Sequence, residues 1–126
     1  MTSFQKVTAI IRMKKLTDVE RELVKHGVDG ITVTLVKGFG EWHPDRHFGY
    51  TKILDRLTVH ARIEVFVETD KADAVVEVIA KAACTGHAGD GVIAMLPVTQ
   101  FVHIRSYAEQ VDEAPEDDDP EERSSP

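Results

Sequence analysis

Two glycine-containing segments hold the residues of this chain best suited to chemistry. They are Gly38-Phe39-Gly40, after a β-rich run, and Thr85-Gly86-His87-Ala88-Gly89-Asp90-Gly91, after a helix-like run. Glycines adopt positive φ angles and let a ligand approach backbone N–H groups closely, which suits anions and above all phosphates. Neither segment matches the P-loop pattern or a helix-opening G-x-G-x-x-G. The residues alone leave two interpretations open, an anion site and a pair of tight turns.

A phosphate site also needs cations to balance its charge. The candidates Lys37, Arg62 and Arg105 are not clustered in the sequence. Phe39 stands between two glycines, where its ring can lie against an adenine or simply fill the turn. Both roles for Phe39 stay open at this point.

The histidines raise the alternative of a metal site. His43 and His47 have the spacing of one helix face, but Pro44 biases His43 away from helical geometry. Two histidines in a loop are more often solvated than bound to metal, so metal binding by His43 and His47 is the alternative. Trp42, beside them, is large and apolar for a loop and suits an interface, a ligand contact or a recognition tip.

The sequence gives little support for catalytic residues. Cys84 has only His87 as a neighbouring base, and a small buried cysteine is the commoner case. Glu64 is a lone carboxylate on a strand, not an acid–base pair. Asp90 lies between glycines, where aspartate commonly forms turns. We therefore predict no catalytic residue and no enzyme activity.

Composition limits the classes of protein further. The 126 residues carry a formal charge of −7, but residues 107–126 hold nine acids against Arg123 alone, which leaves 13 acids and 14 bases in residues 1–106. This balance argues against nucleic-acid binding. We predict one domain over residues 1–106 and an acidic, disordered tail over 107–126. With no long apolar run, no signal peptide and one cysteine, we expect a cytoplasmic protein without membrane insertion.

Periodicity predicts the secondary structure. Strands are expected at Phe4–Arg12, Ile31–Val36, Thr58–Glu68, Val92–Leu96 and Phe101–Arg105. Thr17 to Glu20 form a capping box that would open a helix with Leu16, Val19, Leu23 and Val24 on its apolar stripe. Asp70 would cap a second helix, Lys71–Cys84, with the stripe Val75, Val76, Ile79 and Ala83.

The order of these elements is β-α-β, a long loop over about 40–57, and β-α-β with a short extra strand. It predicts an α+β, ferredoxin-like fold with an antiparallel sheet and both helices on one face. Apolar residues fall on both faces of the strands, and the sequence supplies no third helix to cover the second face. We therefore expect an oligomer.

Four separated motifs closely resemble the PII signal-transduction family. They are the run Ile31 to Gly40, Arg62 to Val65, Thr85 to Gly91, and His103 to Arg105, in the family's order and with nearly its spacing. The resemblance spans about residues 4–106. It implies a ferredoxin-like homotrimer that binds adenine nucleotides between subunits and docks on target proteins, such as transporters and enzymes, through its long loop.

The resemblance also implies which residues bind. By position, the nucleotide would contact Ile10, Thr32, Gly38, Phe39, Gly40, Glu64, Phe66, Gly89, Asp90, Gly91, His103 and Arg105. The segment 40–57 would be the partner-binding loop, with Trp42, His43, Arg46, His47 and Tyr50, and 85–91 the loop around the phosphates. No cofactor is expected beyond these regulatory ligands.

Departures from the family pattern narrow the expected ligand. Val92 stands where the family usually has a phosphate-binding lysine, and His103 stands for the first of two arginines. Each missing cation would remove a charge-assisted contact of roughly 1.5–3 kcal/mol. We therefore expect ADP or AMP to be favoured over ATP.

The long loop departs as well. Trp42 and His60 occupy the positions of a glutamine and a lysine that serve 2-oxoglutarate sensing in the family. Trp42 offers no amide oxygen, and histidine carries less charge than lysine at pH 7, so we expect no 2-oxoglutarate sensing. The family's Glu-Leu-Tyr-Arg-Gly modification string is absent, and Tyr50 is the only tyrosine in the loop.

The sequence thus predicts a non-enzymatic, PII-like regulator that reports adenylate state by reshaping the segment 40–57. Relatives without 2-oxoglutarate sensing include branches linked to bicarbonate uptake and others linked to metal export. A small anion such as bicarbonate fits the lost lysine and is slightly favoured as second ligand. A trimeric metal-responsive protein is the alternative, and a slow nucleotide hydrolase is a remote third.

Overall fold

A computed structural model describes residues 3–38 and 58–110 of the chain, with side chains described through residue 108. The elements are β1 (Phe4–Arg12), a 3₁₀ turn (Met13–Lys15), α1 (Leu16–Lys25), β2 (Thr32–Gly38), β3 (Thr58–Glu68), α2 (Thr69–Ala83), β4 (Gly91–Val98) and α3 (Ile104–Gln110).

The four strands form one antiparallel sheet in the order β2-β3-β1-β4. Ala9 of β1 lies opposite Ile63 of β3 on one side and Ile93 of β4 on the other. Two βαβ units connected in this order produce the ferredoxin-like arrangement. The predicted α+β fold class is confirmed.

Period-2 alternation along the central strands selects the core face of the sheet. The alternate residues Val7, Ala9 and Ile11 of β1 and Ala61, Ile63 and Val65 of β3 are buried, and helices α1 and α2 pack on that face. The buried apolar core consists of Val7, Ala9, Ile11, Val19, Leu23, Ala61, Ile63, Val65, Ala72, Val75, Ile79 and Ala83. The opposite face, called the open face below, carries half-exposed residues including Thr8, Ile10, Arg62 and Glu64.

Strand β2 is an edge of the sheet, and this limits its burial. Val33 and Leu35 point to the core side, yet they are 37% and 64% exposed because the helices do not reach that far. The alternation predicted for this strand is present, but it does not bury its apolar residues.

Both predicted helix caps are wrong. Helix α1 begins at Leu16 after Lys15, with no side-chain cap, because the 3₁₀ turn already winds the chain and places Thr17 inside the helix. Helix α2 begins at Thr69, and the Thr69 amide donates to the Ser3 carbonyl at 3.0 Å. A backbone acceptor thus serves the first amide of the helix, and Asp70 lies within the first turn rather than at the cap.

One member of each predicted helix stripe also differs. Val24 is 64% exposed, because the core-facing positions of α1 are Val19 and Leu23. In α2, Ala72 is buried in the core, whereas the predicted stripe member Val76 is only partly buried.

The C-terminal part of the fold corrects two predictions. Phe101–Arg105 is not a strand: residues 101–103 are irregular, and α3 begins at Ile104. Strand β4 runs through Pro97 to Val98, which an edge strand tolerates because proline lacks only a donor. Helix α3 includes residues 107–110, so the predicted disorder does not hold for these four. Among the described residues, none of the helices is long and apolar enough to cross a membrane.

Candidate functional site

The turn between α2 and β4 is built around one carboxylate. Asp90 accepts hydrogen bonds from the backbone amides of Thr85, at 2.8 Å, and Gly86, at 2.9 Å, and from the Thr85 hydroxyl. The Thr85 oxygen in turn accepts from the His87 amide at 3.2 Å. These hydrogen bonds to Asp90 close the turn over residues 85–91. This agrees with the turn-forming role that the sequence position of Asp90 indicates.

These contacts act on the charge of Asp90. The hydrogen bonds from Thr85, side chain first and then backbone, lower the pKa of the Asp90 carboxyl well below its usual range, with smaller contributions from the Gly86 amide and Arg12. Each of these donors favours the ionised carboxylate over the neutral acid. The turn is thus assembled around a fixed negative charge.

Arg12, the last residue of β1, connects this turn to the sheet through contacts with Asp90 and Ala88. Its Nε lies 3.2 Å from Asp90 Oδ1, and its Nη2 donates to the carbonyl oxygen of Ala88 at 2.6 Å. Arg12 was not among the predicted site residues. Its only sequence signal was its place on the open face at the end of a strand, which does not identify its partner 78 residues away.

Glycine is required at the last position of the turn. Gly91 has a φ of +104°, and a Cβ there would overlap the carbonyl oxygen of Ile10 on the neighbouring strand. Gly86 and Gly89 also have positive φ, at +84° and +97°. Within the described residues, the amides of Ala88 and Gly89 have no hydrogen-bond acceptor, so they can serve an anionic ligand.

His60 lies between this turn and Thr58, at the start of β3. It is 5% exposed, with Nε2 at 3.4 Å from the carbonyl oxygen of Gly89 and Nδ1 at 3.5 Å from the Thr58 hydroxyl. Thr58 Oγ1 donates to the Gly38 carbonyl at 3.3 Å. Gly38 and the turn 85–91 are therefore connected, through Thr58 and His60, at one end of the sheet.

A second predicted group occupies the middle of the open face. Glu64 lies opposite Thr32 on β2 and Thr8 on β1. Its two oxygens contact Lys6 Nζ at 3.1 Å and Arg62 Nε at 3.4 Å. The Arg62 contact is within ion-pair distance, but its Nε has no well-aligned hydrogen bond among the described residues. Glu64 is thus already matched by two cations.

The far end of the sheet holds the remaining predicted residues. Phe101 stacks on Phe4, with ring centroids 4.2 Å apart, and contacts Phe66 at 5.3 Å. His103 meets the Phe101 ring edge-on at 4.9 Å. Arg105 is exposed in the first turn of α3. We call Phe4, Phe66, Phe101 and His103 the aromatic cluster.

The structure therefore divides the predicted nucleotide contacts into two groups. One group surrounds the turn, with Ile10, Gly38, Gly89, Asp90 and Gly91, and the other consists of Thr32, Glu64, Phe66, His103 and Arg105. Gly91 lies opposite Ile11 and Phe66 lies opposite Lys6, a separation along β1 of roughly 17 Å at about 3.4 Å per residue. A single copy of the chain does not bring all of them around one small ligand.

Several predicted residues lie outside the described part of the chain. These are Phe39, Gly40, Trp42, His43, Arg46, His47 and Tyr50. Among residues 3–38 and 58–110, no cluster of three histidine, cysteine or acidic residues could hold a metal ion. Cys84 is exposed rather than buried, because α2 ends at Ala83 and Cys84 takes an extended conformation.

Comparison with known proteins identifies the family. The family model for nitrogen regulatory protein P-II matches residues 4–108. The chain is 43% identical to the P-II protein of Microchaete diplosiphon and 39% identical to that of Porphyra purpurea, in each case over 81% of this chain and 92% of the relative. It is 35% identical to the Arabidopsis thaliana homolog over 83% of this chain, and it spans 55% of that longer protein.

A solved structure agrees with these relatives. The crystal structure of Arabidopsis thaliana PII bound to citrate superimposes with a TM-score of 0.68 and 34% sequence identity, covering 82% of this chain and 85% of that one. Fold, motif order and sequence identity all point the same way. The chain belongs to the nitrogen regulatory protein P-II family.

Proposed function

We propose that this protein is a cytoplasmic, homotrimeric regulator that binds an adenine nucleotide between subunits and controls a partner protein through the segment 40–57. The single observation that carries the proposal is the preformed turn 85–91, whose Ala88 and Gly89 amides face no acceptor within the described residues. P-II proteins are signalling regulators, generally without enzyme activity, and a homotrimer is consistent with the family.

The separation of the two groups of residues supports a site shared between copies. Within one copy, Gly91 and Phe66 lie roughly 17 Å apart along β1, and Glu64 lies roughly 10 Å from the register of Gly91, at about 3.4 Å per residue. An adjacent copy can bring its own Thr32, Glu64 and Phe66 up to the turn of the first. Exposed apolar residues on the open face, such as Phe66 at 48% and Leu96 at 42%, favour such an association.

The surroundings of the turn support a nucleotide with fewer phosphates. Val92 follows Gly91 and lies opposite Ile10, so an apolar pair borders the turn on the open face. The turn's nearest arginine, Arg12, is already bound to Asp90 and to the Ala88 carbonyl. ADP and AMP carry less phosphate charge than ATP. They therefore suit a site in which few cationic side chains are available to pair with the phosphates.

Calorimetric titration with ATP, ADP and AMP tests this proposal. We expect tighter binding of ADP or AMP than of ATP by the wild type. Val92→Lys should raise ATP affinity by roughly ten-fold or more, because a charge-assisted contact contributes about 1.5–3 kcal/mol. Ala74→Lys adds the same charge at an exposed position of α2, on the opposite side of the sheet from the open face, and should leave the order of the nucleotides unchanged. Clearly tighter ATP binding by the wild type would contradict the proposed preference.

The position of His60 supports the absence of 2-oxoglutarate sensing. Its ring is buried against the Gly89 carbonyl, where a dicarboxylate would have to displace an existing contact. We propose bicarbonate, a smaller anion, as second ligand. Titrating the nucleotide-loaded protein with 2-oxoglutarate and with bicarbonate distinguishes the two. A shift of nucleotide affinity by 2-oxoglutarate alone would overturn this part of the proposal.

A further inference from the structure

The acidic residues that follow α3 have no role in the proposed function. Residues 111–126 hold eight acids against Arg123 alone, and six of these acids lie together in Glu116-Asp-Asp-Asp-Pro-Glu-Glu122, called the acidic segment below. Like charges at this density repel one another, and blocks of this kind commonly serve as interaction segments. A surface with free cations and hydrogen-bond donors would stabilise the acidic segment.

The end of the sheet beside the turn 85–91 carries two such cations. Lys14 and Lys15 form the 3₁₀ turn directly after β1, two and three residues beyond Arg12, whose side chain contacts the turn 85–91. Lys14 is exposed and Lys15 is partly exposed. Neither lysine has a carboxylate at ion-pair distance in the described part of the chain. Both charges are therefore available to an acidic partner.

The turn 85–91 adds hydrogen-bond donors to these charges. The backbone amide of Ala88, an exposed residue, has no acceptor among the described residues, and neither has the amide of Gly89. Carboxylates accept strong hydrogen bonds from backbone amides, as phosphates do. Two lysines beside two unpaired amides thus match a run of carboxylates.

The acidic segment is long enough to reach this surface from its own chain. Helix α3 follows Phe101, which packs on Phe4 at the opposite end of β1. The seven steps along β1 from Phe4 to Ile11 span roughly 24 Å at about 3.4 Å each, and the seven residues of α3 span roughly 10 Å. Glu122 lies twelve residues beyond Gln110, a reach of roughly 40 Å in extended chain. This reach exceeds the two distances together, so it suffices in any orientation of α3.

We propose that the acidic segment docks on Lys14, Lys15 and the turn 85–91 of its own chain. Its carboxylates then occupy the amides that our proposed function assigns to the nucleotide phosphates, and in that respect the inference rests on the proposed function. The tether holds the acidic segment at a high local concentration. Nucleotide binds only to chains in which the surface is free, so the apparent affinity falls with the free fraction. The acidic segment is thus a built-in competitor of the nucleotide.

The docked contact belongs to the chain without nucleotide, so its first test uses ligand-free protein. We compare the 126-residue chain with two shortened chains, one ending at Gln110 and one ending at Glu122. The chain ending at Gln110 should show shifted backbone amide resonances at Lys14, Ala88 and Gly89 in NMR spectra. The chain ending at Glu122 keeps every acid and should match the 126-residue chain. Shifts confined to α3, or no shifts at all, would overturn the proposal.

A full chain without the charges separates docking from chain length. Replacing the six acids by their amides should shift the same resonances as removal of the acidic segment does. The substitutions are Glu116→Gln, Asp117→Asn, Asp118→Asn, Asp119→Asn, Glu121→Gln and Glu122→Gln. Resonances that stay at their positions in the 126-residue chain would show that the carboxylates do not occupy the surface.

Calorimetric titration with ADP at low ionic strength, where exposed charges are screened least, gives the second test. The chain ending at Gln110 should bind ADP about three- to ten-fold more tightly than the chain ending at Glu122, as expected when the surface is free in about a tenth to a third of the longer chains. Equal affinities would overturn the proposal. If neither chain binds ADP, the proposed function fails, and the ligand-free resonances still decide whether the acidic segment docks.

A mutant cycle assigns the effect to the two lysines. With Lys14→Ala and Lys15→Ala in both chains, removal of the acidic segment should no longer tighten ADP binding. Lys71→Ala is the control, because it removes an exposed charge beside Asp70 at the start of α2, the end of the helix away from the turn 85–91. Removal of the acidic segment should still tighten ADP binding in that background. An undiminished effect without Lys14 and Lys15 would contradict docking on this surface.

Discussion

Arg12 and Asp90 are 78 positions apart in the chain, and their side chains meet at 3.2 Å where β1 ends and the turn 85–91 leads into β4. The same guanidinium reaches the Ala88 carbonyl at 2.6 Å. The turn is consequently fixed to the central strand of the sheet rather than only to its own flanking elements. Its backbone amides are held in place before any ligand arrives, which reduces the ordering that binding must cost.

Asp90→Asn should destabilise the protein at neutral pH and weaken nucleotide binding, because the amide accepts fewer and weaker hydrogen bonds. The pKa of the Asp90 carboxyl is lowered in the folded state, so its contribution is complete above the unfolded value of about 3.9 and is lost as the pH falls below it. Urea denaturation should therefore separate wild type from variant at pH 7 and progressively less in strong acid. A difference that grows on acidification would contradict the assignment.

Gly91→Ala should be strongly destabilising, since its Cβ would overlap the Ile10 carbonyl oxygen and its φ is +104°. The positive φ alone costs about 1–2 kcal/mol for a residue with a side chain, and the overlap adds to it. Gly30→Ala is the matched control, because nothing lies within 4 Å of an added Cβ there. The free energy of unfolding from urea titration should fall by at least ~2 kcal/mol for Gly91→Ala and change little for Gly30→Ala.

Leu23→Ala should lower the free energy of unfolding by about 2–5 kcal/mol, as expected for a buried leucine truncated in a core. Leu23 is fully buried, while its neighbour Val24 is 64% exposed. Val24→Ala on the same helix should therefore change stability by no more than about 0.5 kcal/mol. Comparable losses for both variants would place Val24 in the core after all.

Phe101→Ala should weaken nucleotide binding without removing any residue proposed to contact the nucleotide. Phe101 stacks on Phe4 and meets His103 edge-on, so it positions the segment that carries His103 and Arg105. Aromatic pairs contribute about 0.5–1.5 kcal/mol beyond burial, and we expect nucleotide affinity to fall several-fold by calorimetry. Val102→Ala, at an exposed position, is the control and should bind as the wild type does.

The sequence predicted the sheet well because alternation is a property of each strand by itself. Val7, Ala9 and Ile11 alternate with polar or half-exposed neighbours, and the core face follows directly. The predicted cap at Thr17 failed because the chain already turns at Met13–Lys15, a feature that no capping pattern reveals. The predicted strand at Phe101–Arg105 failed because Phe101 packs its ring on Phe4 while the backbone stays irregular.

The sequence was sufficient to predict the positions of the glycine turns in the candidate site, but not the side-chain contacts around them. Gly86, Gly89 and Gly91 all take the positive φ angles that their spacing indicated. Arg12 was missed because its partner Asp90 is distant in sequence and only the β1–β4 pairing brings them together. His60 was recognised through its family position, but its contact with Gly89 depends on tertiary structure alone.

The pairing of Arg12 with Asp90 also bears on how binding should respond to ionic strength. Because the guanidinium is matched by a carboxylate inside the turn, the turn offers an incoming anion oriented amide dipoles rather than a net positive charge. Added salt screens exposed charges beyond about 10 Å at 0.1 M but does little to dipoles in direct contact with a ligand. Recognition at this turn would then be nearly insensitive to salt and would select its anion by shape.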